Sequence, residues 1–166
     1  MMCTPTISGV AISKTLVDGG ACLNVISVQA FVALRLPQER LAPSKPFSGV
    51  VAGSVTPVGR IRLPVTFSSR SNFRIEQIDF DVAHIHLPYN EIIGYPALAQ
   101  FMAAMHPGYN VVKMPGSGGV LTIVGDNKDA SRILKLSHKT STVACANFRG
   151  KVHAAKDPGI STTLCV

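Results

Sequence analysis

A carboxylate on a turn, delivered by a strand and followed by two glycines, is the first feature of this sequence that could do chemistry. In Leu16-Val17-Asp18-Gly19-Gly20-Ala21, apolar residues with strand character run into Asp18, and two glycines turn the chain where a Cβ would resist. A carboxyl group presented this way can take or give a proton at a reacting group. Taken alone, an Asp before two glycines is most often a turn residue, so the loop needs support from elsewhere in the chain. The other candidates are weaker. His84 and His86 could share one face of a strand as metal ligands, but no third ligand follows at a usual spacing, and a strand-surface reading is preferred. Gly116-Ser117-Gly118-Gly119 lacks the Lys-Ser/Thr that completes a phosphate loop, and it separates two strand-like runs, which makes it a hairpin turn. Ser117 stands in no Gly-x-Ser-x-Gly elbow, and Cys22 reads as a structural thiol before a redox-active one. These patterns call for no metal and no organic cofactor.

The elements that must position Asp18 are mostly strands. Residues 9–17 read as a strand entering the loop, and Ser27 can cap a short helix over 28–34 with Val28, Phe31 and Val32 inward. Residues 46–50 and 59–67 flank a link, Val51-Ala52-Gly53-Ser54-Val55-Thr56-Pro57, that turns the chain back as a hairpin. Ile61, Leu63, Val65 and Phe67 alternate with Arg62, Pro64 and Thr66, the period of a half-buried strand, and Pro64 marks an edge or a bulge. Residues 73–85 form another strand, with Ile78, Phe80 and Val82 on one face and Asp79 and Asp81 on the other. From Pro96, the spacing of Leu98, Phe101, Met102 and Met105 predicts one helix near 96–106. A closing hairpin over 111–114 and 120–124 follows.

The chain has 166 residues, 46% of them apolar, enough for one domain with a core; aromatic residues make up 6% and Trp is absent. The formal charge of +7 is unevenly placed: residues 1–125 carry nine Lys and Arg against six Asp and Glu, and residues 126–166 carry seven against three. No run of five like charges exists, and no basic cluster alternates with aromatics, so nucleic-acid binding by the domain is not expected. The sequence divides into an all-β domain over 1–126 and a basic, poorly ordered tail over 127–166. Cysteines at 3, 22, 145 and 165 form no Cys-x-x-Cys pair, and no segment approaches the roughly 18 to 20 apolar residues of a membrane span. The expectation is a soluble, cytoplasmic protein with free thiols.

Three stretches in order give these observations a common frame. The Asp18 loop is similar to the apolar-apolar-Asp-(Thr/Ser)-Gly-Ala loop of retroviral and retrotransposon proteases. Pro57-Val58-Gly59-Arg60-Ile61-Arg62-Leu63-Pro64-Val65-Thr66-Phe67 resembles the strand leaving the flap in gypsy-class members, and some plant members of that class carry Gly at the Gly19 position too. Tyr89-Asn90-Glu91-Ile92-Ile93-Gly94-Tyr95-Pro96-Ala97-Leu98 resembles the apolar-apolar-Gly-Arg-Pro segment before the family's helix. The resemblance spans residues 7 to 126. It implies a retropepsin-like half-barrel that works as a homodimer, because the family pairs one Asp loop from each subunit and this chain contains no internal repeat. It assigns Asp18 to peptide-bond hydrolysis, with Gly19, Gly20 and Ala21 in the loop and Ile92, Ile93 and Gly94 packing behind it. Val51, Ala52, Gly53 and Ser54 would lie in the flap over a peptide or polyprotein substrate, and the particle formed by such an element would keep the enzyme inside the cell. Three positions depart from the pattern. Gly19 stands where the family has Thr or Ser, Tyr95 replaces the Arg, and Cys22 takes the place of that Arg's Asp partner. Two readings follow: an aspartic endopeptidase, or a domain that keeps the fold and dimerises or binds peptides without cutting them.

Overall fold

The computed structural model describes residues 1–50, 53–69, 72–128 and 130–131. The expectations for Val51 and Ala52, and for nearly all of the basic tail, fall outside the described residues.

Short strands open the chain: β1 (Met2–Cys3), β2 (Thr6–Ile7), β3 (Val10–Ala11) and β4 (Thr15–Val17). The single strand expected over 9–17 is therefore two. Gly9 (φ +84°) turns β2 into β3, and Lys14 (φ +57°) breaks the chain again before β4. Next come β5 (Val25–Ser27) and helix α1 (Val28–Ala33), whose first turn is capped by Ser27 Oγ accepting from Ala30 N at 3.1 Å. Ala30 and Phe31 form the buried face of α1, whereas Val32 is 61% exposed and does not face inward as the apolar spacing suggested. A helix of six residues has less than two turns, so only one narrow stripe can reach the core.

The hairpin that follows joins β6 (Phe47–Ser48) to β7 (Ser54–Val55) as a separate two-stranded sheet. Its return strand is thus β7, and not 59–67 as expected. The latter belongs to β8 (Gly59–Ser69), which pairs with β9 (Asn72–Ala83) in unbroken antiparallel register from Gly59↔Val82 to Ser69↔Asn72. Ile61, Leu63, Val65 and Phe67 are buried, and Ile78, Phe80 and Val82 meet them across the ladder. Pro64 makes no bulge. Its carbonyl accepts from Ser8 N at 3.0 Å just where β2 ends, so the ring nitrogen also points to that side, where no strand needs its missing proton.

β10 (Glu91–Ile93) leads into helix α2 (Tyr95–Gln100), then β11 (Ala104–His106), β12 (Val111–Gly116) and β13 (Gly119–Val124). The helix expected to run to 106 stops at Gln100. Met102 takes a left-handed conformation (φ +48°), Ala103 N donates to Leu98 O at 2.9 Å, and Met102 N to Ala99 O at 3.0 Å, the paired bonds that close a helix C-terminus. Met102 is consequently 63% exposed and Met105 lies on a strand. The closing hairpin turns on Ser117 and Gly118 and pairs Gly116 with Gly119.

Among the described residues, eight strands form one curled sheet in the order β1-β4-β10-β5-β9-β8-β2-β3, and β11-β12-β13 form a second. The core lies between them. Phe67 meets Phe101 edge to face at 5.1 Å, and Val112, Met114 and Leu121 close the far side.

Candidate active site

The site is built around a crossing. β10 runs parallel to β4 and antiparallel to β5, so a distant strand is inserted between two strands that are neighbours in sequence. The loop joining β4 to β5 must bend around the end of β10, and Asp18 is its first residue. Asp18 N donates to Ile93 O at 3.0 Å, which continues the β4–β10 ladder into the loop. Asp18 Oδ1 then accepts from Gly20 N at 2.9 Å, and Asp18 O accepts from Ala21 N at 3.2 Å, so backbone and side chain close the same tight turn. Oδ2 takes no hydrogen bond from the described residues, and the residue is half-buried. The carboxyl group is aimed by its own loop and left with one oxygen free to react.

Ile92 and Ile93 are buried behind the loop, opposite Leu16 and Val17 of β4. Gly94 has an extended backbone that any residue adopts, so its role is one of space. A Cβ there would run into the Leu23 carbonyl and come within 2.6 Å of the Ala21 carbonyl. Tyr95 N in turn donates to Ala21 O at 2.8 Å. The structure thus brings Asp18, Gly20, Ala21, Ile93 and Gly94 into one bonded unit.

Asn24, which the sequence did not mark, locks that unit. Only 6% exposed, its Oδ1 accepts from Gly94 N at 2.8 Å and its Nδ2 donates to Asp79 O at 3.0 Å, while its backbone O accepts from Asp81 N at 2.9 Å. One amide side chain ties β10, β9 and the loop together and satisfies a backbone donor that would otherwise be buried unpaired. A polar residue inside the apolar run Leu23-Asn24-Val25-Ile26 was the available signal. Tyr89 was also missed. Burial, and then the Asp18 carboxylate, push its phenol upward, so it stands within the electrostatic reach of Asp18.

The departures take a definite form. Gly19 has no left-handed backbone, and a Cβ on it would meet Met105 Cε at 3.4 Å and Leu98 Cδ1 at 3.8 Å, so a side chain could be accommodated. Tyr95 is 63% exposed and Cys22 is exposed beside the same loop. His84 and His86 lie past the end of β9, both exposed.

The β6–β7 hairpin packs Phe47, Val50 and Val55 on a floor of Val25, Ala83 and Ile85, with Leu23 and Leu87 at its margin. Gly49 (φ +94°) and Gly53 (φ +85°) flank the hairpin tip, where Gly53 and Ser54 are exposed. A cavity of about 190 Å³ opens beside the floor, lined among others by Ser27, Gln29, His86 and Tyr89.

No protein-family model matches the sequence, and no curated protein does. Solved structures do. The retroviral protease-like domain of Ddi1 from Leishmania major is 19% identical, with a TM-score of 0.57 over 76% of this chain and 97% of that one. EIAV protease in complex with the inhibitor HBY-793 is 22% identical, with a TM-score of 0.48 over 64% of this chain and 91% of that one. A retropepsin-like aspartic protease from Rickettsia conorii is 17% identical, with a TM-score of 0.48 over 63% and 74%. At 19% identity the first of these likenesses speaks for architecture alone. The chain has the fold of a retroviral protease-like domain.

Proposed function

We propose that this chain is one half of a homodimeric aspartic endopeptidase, with Asp18 as its catalytic carboxyl group. The observation that carries the reading is the Asp18 turn: one oxygen bonded to Gly20 N, the other unbonded, the loop fixed by β10 and Asn24. Two such carboxyl groups about 3 Å apart cannot both ionise, so a pair shares one proton and supplies acid and base together. One chain offers a single loop of this kind, and a second copy completes the pair. One carboxylate then draws a proton from water as the other protonates the scissile carbonyl oxygen. The peptide lies extended over the Val25, Ala83 and Ile85 floor under the β6–β7 hairpin, bonded like an added strand. No metal or organic cofactor enters this scheme. The sequence resemblance favours a gypsy-class retrotransposon of plant type, with the element's own polyprotein as substrate and the cytoplasm as the place of action.

Asp18→Asn tests the reading, because it removes the shareable proton and keeps the shape. Peptide hydrolysis is expected to vanish while the fold persists, and mixing variant with wild type should depress activity, since mixed dimers hold one ionisable carboxyl. A statine-type inhibitor, which mimics the tetrahedral intermediate, should block the wild type. Unchanged turnover in the Asn variant rules the mechanism out. Gly19 favours a second reading, a dimerising or peptide-binding domain that does not cut, because it lacks the hydroxyl found there in the resembling family. Peptide binding by wild type and Asn variant alike, with no hydrolysis by either, selects that reading.

A further inference from the structure

Among the described residues two carboxyl groups are buried, Asp81 at 4%, paired with Arg60, and Glu91 at 0%, which the mechanism above does not use. It opens β10 directly opposite Thr15 of β4. Thr15 Oγ1 lies 2.6 Å from Glu91 Oε1 and 2.9 Å from Ile12 O, while Glu91 Oε2 is buried with no partner. Around it stand Cys3 from β1 and Ile26 from β5; the Met1 amino group, bonded to Val17 O at 3.0 Å, acts on Cys3 with the opposite sign to Glu91. No cationic side chain pairs with Glu91 among the described residues.

Counting protons decides the direction of these bonds. A hydroxyl has one proton, and the Ile12 carbonyl can only accept. If Thr15 gives its proton to Ile12 O, then the 2.6 Å contact requires Glu91 to be the donor, which it can be only as a carboxylic acid. The opposite arrangement puts a carboxylate in the core with one oxygen bare beside the Cys3 thiol, the costliest state available to it.

We propose that Glu91 is a positioning residue: as a carboxylic acid it donates to Thr15 and latches β10 to β4 three residues before Asp18, and loss of its proton unfastens the Asp18 loop. Burial pushes its carboxyl up to about 8, even with the opposing pull of Thr15. The nearby Cys3 thiol is pushed up to about 12 by burial and then by Glu91, so it stays neutral and supplies no positive charge to stabilise a Glu91 carboxylate. The folded chain holds a proton that the unfolded chain releases near the ordinary Glu value, so stability falls as pH rises from about 4.5 and levels off beyond about 8.

The test is melting temperature against pH for wild type and Glu91→Gln, joined to hydrogen exchange at the Asp18 and Gly94 amides, corrected for its intrinsic pH dependence. The Gln amide can donate to Thr15 and cannot ionise. Wild type should lose melting temperature and amide protection between about pH 5 and 8, and the variant should keep both over that window. Parallel curves overturn the proposal. A second measurement covers failure of that variant to fold: infrared spectra of Asp18→Asn, which removes the paired carboxyls and leaves Glu91. A carboxylic-acid carbonyl band should persist at about pH 6, where exposed carboxyls are ionised; its absence overturns the proposal. The latch bears on the proposed hydrolysis through Asp18, but none of these measurements needs turnover, so it stands or falls apart from that reading.

Discussion

The Asp18 loop and the β6–β7 hairpin are held by different physics. The loop is over-determined: Asp18 N is bonded to Ile93 O, Gly20 N and Ala21 N to Asp18, Tyr95 N to Ala21 O and Gly94 N to Asn24, and Gly94 leaves no room for a methyl group. The hairpin has a sheet of two residues per strand, two left-handed glycines and an apolar contact with the floor. Fixed dipoles suit a group whose proton must be placed within a fraction of an ångström. A cover that admits and releases a chain needs a small barrier, which few hydrogen bonds and non-directional contacts supply.

Substitutions that leave Asp18 untouched can break this contrast. The largest effect is expected from Gly94→Ala. Its methyl group meets two backbone carbonyls that belong to the loop itself, so the loop must move, at about 3 kcal/mol or more, and hydrolysis should be lost with it. A stable, active Ala variant would mean that the loop tolerates displacement. Asn24→Ala comes next. It leaves Gly94 N–H and the Asp79 carbonyl without their side-chain partner, at about 1 to 3 kcal/mol for each buried group orphaned, and should lower the denaturation midpoint at unchanged slope. The smallest effect belongs to the hairpin. Gly53→Ala forces a Cβ into a left-handed conformation with nothing near it, a strain of about 1 to 2 kcal/mol at an exposed tip. Global stability should fall by less than in Asn24→Ala while KM for peptides shifts. A loss of stability equal to that of Asn24→Ala would show the hairpin to be as firmly built into the fold as the loop.

Much of this architecture could be read from residues in order. Alternation gave β8 and β9, and the Asp-Gly-Gly turn fell where a strand delivers it. The failures share a cause. Helix α2 was extended to 106 because Met102 and Met105 continue its apolar period, yet the helix ends when Met102 turns left-handed and Leu98 O is taken by Ala103 N. Periodicity carries no information about where backbone acceptors find donors. Asn24 and Glu91 escaped for a related reason: each looks like a surface residue until β10 is threaded between β4 and β5, and that pairing joins segments far apart in the chain. The spacing of Val28, Phe31 and Val32 points Val32 inward, but the short α1 buries Ala30 and Phe31 instead.

The insertion of β10 between β4 and β5 also sets an order of events during synthesis. Glu91 lies 76 residues downstream of Thr15, so the contacts that build the Asp18 loop are among the most remote in sequence and the slowest to be repaid during folding. A growing chain that has released both β4 and β5 still lacks the strand that belongs between them. Asp18 N then has no Ile93 carbonyl to bind, and Asn24 has no Gly94 amide. Domains form as units when their last required segment emerges. The carboxyl loop therefore comes into being only after Gly94 has left the ribosome.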